Sequence, residues 1–289
     1  MEYAKEDLAR LHRELVDILK EIIRVCEVLD IPYFIQGGTA IGAYFNQGIV
    51  PWDDDIDLGM TRDNYERFLK EAPAVLAKGY FLQHFCTEPN TPFYFAKVRK
   101  DGTLFVEKPH MDLDIHHGIF VDIFPFDNVP DNPRVEKIHR RIVQFCEGAF
   151  KKSLLKESIR EGLHGLPDGL ADWWTDVRFK MVNILPRRFY YNRLRRVQGA
   201  FNKKDCKYVS IVKMPLDQIE KATILDPADM PFEGVMVKAP SHIERYLYHH
   251  YPKLQPTLPK ELQVTHRPEI LSFETGDIHQ YKAKGNEQQ

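Results

Sequence analysis

Pro51-Trp52-Asp53-Asp54-Asp55-Ile56-Asp57-Leu58-Gly59-Met60 is the stretch on which the fold turns. Ile56, Leu58 and Met60 alternate with other residues, the period of a strand with one face buried. If the extended chain reaches back through the acids, Asp53, Asp55 and Asp57 project from one face. Neighbours on that face stand ~7 Å apart. At an effective dielectric of ~20, each pair then repels by roughly 2–3 kcal/mol. A cation offsets that cost, and carboxylate oxygens are hard ligands that suit Mg2+ or Mn2+ rather than zinc or copper. A solvated acidic turn would carry the same residues. Entry into an apolar strand favours the metal site.

Upstream, Tyr33-Phe34-Ile35 reads as a short buried strand, followed by Gly37-Gly38-Thr39, a helix around Ala40–Phe45 and a turn at Gln47-Gly48. Paired glycines after a strand let backbone N–H groups approach a phosphate with no Cβ in the way, and Thr39 adds a hydroxyl at the helix start. Downstream, Gly118–Phe124 is an apolar strand interrupted by Asp122. A carboxylate flanked by Val121 and Ile123 needs a partner, which a shared metal would supply. Strand, glycine pair, helix and two acid-bearing strands together describe a site for a phosphate and a divalent cation.

The remainder supplies a scaffold. An amphipathic helix fills the first thirty residues, from Leu8 and Leu11 to Cys26 and Leu29, with Pro32 as its stop. Thr61 is the expected N-cap of a helix carrying Tyr65, Phe68, Leu69 and Ala72. Tyr80–Phe85, Phe93–Val98 and Leu104–Glu107 read as strands, the last two joined by a turn at Asp101-Gly102. Residues 131–207 read as mostly helical, opened by Asp131 and Pro133. Short strands at Val209–Val212 and Val235–Lys238 precede a helix with a capping box, Ser241 to Glu244. The residues after 275 are polar and expected to fray.

The chain has 289 residues, 43% of them hydrophobic, with a formal net charge of -2. That excludes a collagen-like or disulfide-scaffold protein and a chain that coats nucleic acid by its overall charge. Cys26, Cys86, Cys146 and Cys206 form no CxxC pair and are expected to be buried or inert thiols. No run reaches the ~18 apolar residues of a membrane span. The charged start, MEYAKEDLAR, lacks the apolar core of a secretion signal, so a cytoplasmic protein is expected.

The strings Gly37-Gly38-Thr39-Ala40-Ile41-Gly42 and Gly48 to Met60 resemble the signature of the LicD/fukutin family of phosphotransferases. Lys97, Thr103, the Gly118–Asp127 segment, Phe232-Glu233-Gly234, Pro240, Glu244 to Leu247 and His266 fit the same pattern. The resemblance implies an α+β fold: a nucleotidyltransferase-like mixed β-sheet with flanking helices and a helical insertion. The expected division is a catalytic core over 1–130, a helical basic segment over 131–207, a part completing the core over 208–275 and a disordered tail over 276–289.

The implied activity is transfer of a phospho-alcohol such as phosphocholine from a CDP-activated donor, CDP-choline for example, to a hydroxyl of a cell-surface glycan or glycolipid, releasing CMP. Asp55 and Asp57 are then metal ligands and Asp122 the third acidic residue, as ligand or base. Asp53 supports them directly or from behind. Gly37, Gly38 and Thr39 lie against the donor phosphates. Lys97, Arg99 and His266 are candidates for phosphate contact, with His116 and His117 behind them. Between Arg178 and Lys207, ten Lys or Arg face one acid, Asp205, with Phe189, Tyr190, Tyr191 and Phe201 interleaved. Such a segment suits a phosphate-bearing acceptor or an anionic membrane surface, or simply a solvated helix face. The rival readings are a nucleotidyltransferase acting on a small molecule, a glycosyltransferase using a DxD motif, and a non-catalytic nucleotide- or glycan-binding module.

Overall fold

The structure is a computed structural model that describes residues 3–211, 218–252, 254–255, 265 and 267–274. The chain divides into two compact units: residues 1–83, 96–124 and 223–289 form the first, and residues 84–95 and 125–222 the second.

The first unit opens with α1 (Lys5–Leu29), whose Leu11, Leu15, Ile18, Leu19, Ile22 and Val25 are buried and which packs against the sheet. The helix ends before the expected stop. Asp30 adopts a left-handed conformation, φ 51°, and its N–H and that of Ile31 close the last turn two residues ahead of Pro32. Then follow β1 (Phe34–Ile35), α2 (Gly37–Asn46), β2 (Asp57–Thr61), α3 (Arg62–Glu71), β3 (Tyr80–Gln83), β4 (Ala96–Lys100), β5 (Leu104–Val106) and β6 (Phe120–Val129). The sheet order is β1-β2-β6-β4-β3, which seats β6 beside β2 although some sixty residues separate them in sequence. The result is the expected α+β architecture.

β5 departs from expectation. The turn at Asp101-Gly102 forms, but no β4–β5 hairpin does: Leu104, Phe105 and Val106 pair antiparallel with Ser272, Leu271 and Ile270 of the last described strand. Thr103 turns the chain away, its hydroxyl donating to the Lys100 carbonyl (2.8 Å) and accepting the Ile119 N–H (2.9 Å).

In the second unit the end of β6 pairs with β7 (Tyr208–Ser210), and β7 with β8 (Ile219–Glu220). The helices are α4 (Pro133–Lys152), α5 (Glu157–Arg160), α6 (Asp168–Val182) and α7 (Arg187–Gln198). α4 packs along α7 around Phe85, Tyr94, Val143, Phe150, Tyr191 and Leu194. Its cap is Asn132, whose side chain accepts the Arg134 and Val135 N–H groups, while Asp131 instead accepts the Lys207 N–H (2.9 Å). Arg187 is a framework residue: it lies 4.1 Å over the Phe150 ring and donates to the Pro89 carbonyl (2.9 Å) and the Thr91 carbonyl.

α8 (Lys221–Leu225) returns the chain to the first unit. There β9 (Ala228–Phe232) and β10 (Val235–Ala239) form a hairpin that meets β1 and α2, followed by α9 (Ile243–His250) and β11 (Ile270–Ser272). The hairpin turns on Glu233 and Gly234, at φ 49° and 76°, the paired left-handed residues of a type I′ turn. The capping box expected at α9 does not form. Ser241 Oγ donates to the Thr223 carbonyl (3.2 Å), and Glu244 accepts the Tyr44 hydroxyl. The expected tail from 276 lies outside the described residues.

Candidate active site

The glycine turn is held from three sides. Gln36 is extended and Gly37 takes φ 56°, so the chain reverses into α2 within one residue. The Gly37 N–H donates to Tyr246 Oη of α9 (3.0 Å). Thr39 is buried inside the first turn, its Oγ1 accepting the Asp57 N–H (2.8 Å), which ties the start of α2 to the start of β2. The glycines make room for carboxylates: a Cβ on Gly38 would stand 2.5 Å from Asp53 Oδ2, and one on Gly37 3.3 Å from Asp57 Oδ2. The helix start and the aspartates therefore share one small space.

The aspartate run is not a regular strand until Asp57; Pro51 and Trp52 form a turn and residues 53–56 are irregular. The alternation survives all the same. Asp54, Ile56 and Leu58 point inward and are buried, while Asp53, Asp55 and Asp57 are half-buried on the other side. Carboxylate oxygens of Asp53, Asp54 and Asp55 lie within 4.8 Å of one another. Asp54 belongs to the framework, since Tyr3 Oη donates to its Oδ2 (2.7 Å). His12 Nε2 donates to the Asp53 carbonyl (2.8 Å), so α1 fixes the backbone of the run. On the far side Glu233 Oε1 accepts the Ile49 N–H (2.9 Å), and a Cβ on Gly48 would sit 2.3 Å from that oxygen.

β6 brings the fourth carboxylate. The Asp122 N–H donates to the Ile56 carbonyl (2.9 Å), placing Asp122 beside the end of the run. In the β4–β6 register Lys97 is its cross-strand partner, and Lys97 Nζ lies 2.6 Å from Asp122 Oδ1, both side chains being buried. The ammonium also sits 3.4 Å above the Phe120 ring. Arg99 does not extend this charge towards a ligand. It is buried, donating from Nε to Gln83 Oε1 (2.7 Å) and from its terminal nitrogen to the Gly118 carbonyl (2.6 Å), and it braces the sheet.

Electrostatics follow from this crowding. Burial first, then the charges of Asp55, Asp122 and Asp53, hold the Asp57 carboxyl well above the usual carboxylate range, against the pull of Lys97. Burial likewise pushes Asp122 up to about 6, with the Lys97 ammonium working in the opposite direction. Burial also lowers Lys97, against the attraction of Asp122. The donor set around the glycine turn is oxygen throughout and carries more negative charge than Lys97 neutralises. Those residues fit a hard divalent cation.

The remaining candidates fall elsewhere. His116 stacks on Phe81 and shares a hydrogen bond with Asp101 (3.1 Å). His117 is buried against the Leu113 carbonyl (3.1 Å). His266 lies outside the described residues. Cysteine behaves as expected at Cys26, Cys146 and Cys206, which are buried, but Cys86 is exposed. The sequence assigns no site role to Tyr246, Glu233, His12 or Tyr3, since each acts on the site from more than forty positions away; for Glu233 and Tyr246 the available signal is that both lie in strings that fit the family pattern.

Residues 30–158 match the family model described as LicD/FKTN/FKRP, nucleotidyltransferase domain. A lipopolysaccharide cholinephosphotransferase, LicD, of Haemophilus influenzae is 34% identical over 146 residues, 44% of this chain and 48% of that protein. An uncharacterised protein of Rickettsia typhi is 33% identical over 118 residues, 41% of this chain and 36% of its own. The chain thus spans about half the length, or less, of these relatives. The matched span contains the glycine turn, the aspartate run, Lys97 and Asp122, so the part of the chain that is similar to the LicD/FKTN/FKRP nucleotidyltransferase domain is the part that carries the acidic site.

Proposed function

We propose that the protein transfers a phospho-alcohol group, phosphocholine or a close analogue, from a CDP-activated donor to a hydroxyl of a glycan or glycolipid. The observation that carries this reading is the meeting of Asp53, Asp55, Asp57 and Asp122 at the Gly37-Gly38 turn. The Haemophilus relative, described as acting on lipopolysaccharide, points to the same class of acceptor.

In the proposed reaction the acceptor oxygen attacks the phosphorus that bears the alcohol. The bond from that phosphorus to the bridging oxygen breaks, and CMP departs with the electron pair. The acceptor proton passes to a carboxylate. Asp122, which burial pushes up to about 6, has the basicity for that step. Asp53, Asp55, Asp57 and Asp122 would hold Mg2+ or Mn2+, which when bound supplies charge stabilisation to the diphosphate. Lys97 orients Asp122 across the β4–β6 ladder. Thr39 and Tyr246 keep the helix start in place, so that its N–H groups are preorganised for a phosphate.

The test is incubation with Mg2+, a glycolipid extract and a panel of CDP-alcohols, following CMP. Release of CMP with one donor, dependent on acceptor and metal, is the expected result. Pyrophosphate release from a nucleoside triphosphate, with no CMP from any CDP-alcohol, would instead identify a small-molecule nucleotidyltransferase.

A further inference from the structure

Charge is divided unevenly between the two units. By sequence the second unit holds twenty Lys and Arg against thirteen Asp and Glu, a net +7, although the whole chain is at -2. The same unit exposes large apolar side chains in an ordered pattern. On α4, Val135, Ile138, Ile142 and Phe145 recur at three- and four-residue steps, and Ile138 and Phe145 are 59% and 78% exposed. This stripe is distinct from the face that α4 buries against α7, which carries His139, Val143, Cys146 and Phe150.

At 100° per residue, Arg134, Arg141 and Lys152 fall along the outer border of the stripe, and Glu136 and Glu147 on the opposite side of the buried face. α6, which touches α4, exposes a second apolar line. Leu170, Trp174 and Met181 form an exposed line beside Trp173, whose ring stands 4.8 Å from that of Trp174. Beyond the end of α6, Ile184 is 78% exposed.

A solvated helix face has no use for Phe, Ile and Trp at regular spacing. Apolar residues bordered by cations, with tryptophans among them, match the boundary between headgroups and acyl chains. Among the described residues no helix is long and apolar enough to cross a membrane, so the fitting geometry is one that lies on the surface. We propose that the exposed face of α4 and α6 rests on an anionic lipid bilayer, with Ile138, Phe145 and Trp173 entering the interface and Arg134, Arg141 and Lys152 meeting lipid phosphates. The cationic balance of this unit selects a bilayer over a second copy of the same face, which would set like charges together.

Flotation of the full chain with vesicles tests this without any appeal to turnover, so its outcome is separable from the donor assignment. The protein should rise with phosphatidylcholine vesicles containing phosphatidylglycerol, rise far less with phosphatidylcholine alone, and be released by salt. Ile138→Ser with Phe145→Ser should weaken binding at least about tenfold, each side chain losing an apolar burial. Arg141→Glu with Lys152→Glu should remove the preference for anionic lipid, and both pairs are surface changes whose folding circular dichroism verifies. A protein that stays at the bottom of every gradient overturns the proposal. So does flotation that neither pair of substitutions alters, or a dimer in lipid-free solution that the serine pair converts to monomer while lipid is ignored.

Discussion

Asp57 illustrates what the crowded carboxylates cost and what they are for. Its carboxyl is held above the ordinary range by burial and by three like charges, so the metal-free fold is strained whenever it ionises. Asp57→Asn should therefore raise the melting temperature of the metal-free protein near neutral pH while lowering turnover by about a thousandfold or more. A variant with near-native turnover would remove Asp57 from the chemistry. The linked pH dependence has a definite sign. Asp122 titrates at about 6 when folded, above its unfolded value, so its contribution to stability is fully present below about pH 4. That contribution is lost as pH rises through the folded value. Melts with and without Mg2+ should accordingly separate at about pH 8 and converge towards about pH 4, where Asp57 and Asp122 are protonated.

Lys97 and Asp122 form a buried pair, and breaking one half leaves the other uncompensated. Lys97→Met should cost about 3–5 kcal/mol, and adding Asp122→Asn should recover much of it, as denaturant titrations of the single and double variants will show. Asp122 is legible in the sequence as a lone charge in an apolar strand, whereas Lys97, followed closely by Arg99 and Lys100, enters through the family resemblance. Their partnership is not legible there, because it depends on a cross-strand register that neither strand encodes alone. Arg99 sits two residues from Lys97 with the same surroundings in sequence. Only the packing reveals that its fork is taken up by Gln83 and the Gly118 carbonyl.

At the level of elements, the acid run and the glycine pair act as one device. Gly38→Ala brings a methyl group within 2.5 Å of Asp53 Oδ2 and must displace either the carboxylate or the helix start. Turnover should fall by about tenfold or more, with a smaller change in stability, since a one-ångström displacement of a positioned group carries that scale of penalty. Equal losses in stability and turnover would count against a role specific to the site.

Elements with strong local signals matched expectation. α1, α2, α3 and β2 match their expected extents to within four residues at either end. Those that failed did so through distant partners. β5 is completed by residues 270–272, which no local pattern announces. The capping box at Ser241 and Glu244 is locally sound, yet Thr223 and Tyr44 claim both side chains. β9 has no strand signal in the sequence because Asp229 and Pro231 read as loop, whereas its exposed hairpin position tolerates them.

At the scale of the whole chain, the site draws on parts that the matched family span of residues 30–158 does not include. Tyr246 holds Gly37, Glu233 holds the segment after α2, His12 holds Asp53, and Tyr3 holds Asp54. A minimal fragment cut to residues 30–158 would retain Asp53, Asp55, Asp57 and Asp122 yet forfeit the two hydroxyls, the imidazole and the glutamate that keep them in register. Amide exchange should find its glycine loop opening freely where the intact polypeptide protects it, and restoring the two flanks as separate peptides should slow that opening again. The borders of the matched span and the borders of a self-supporting molecule therefore do not coincide here.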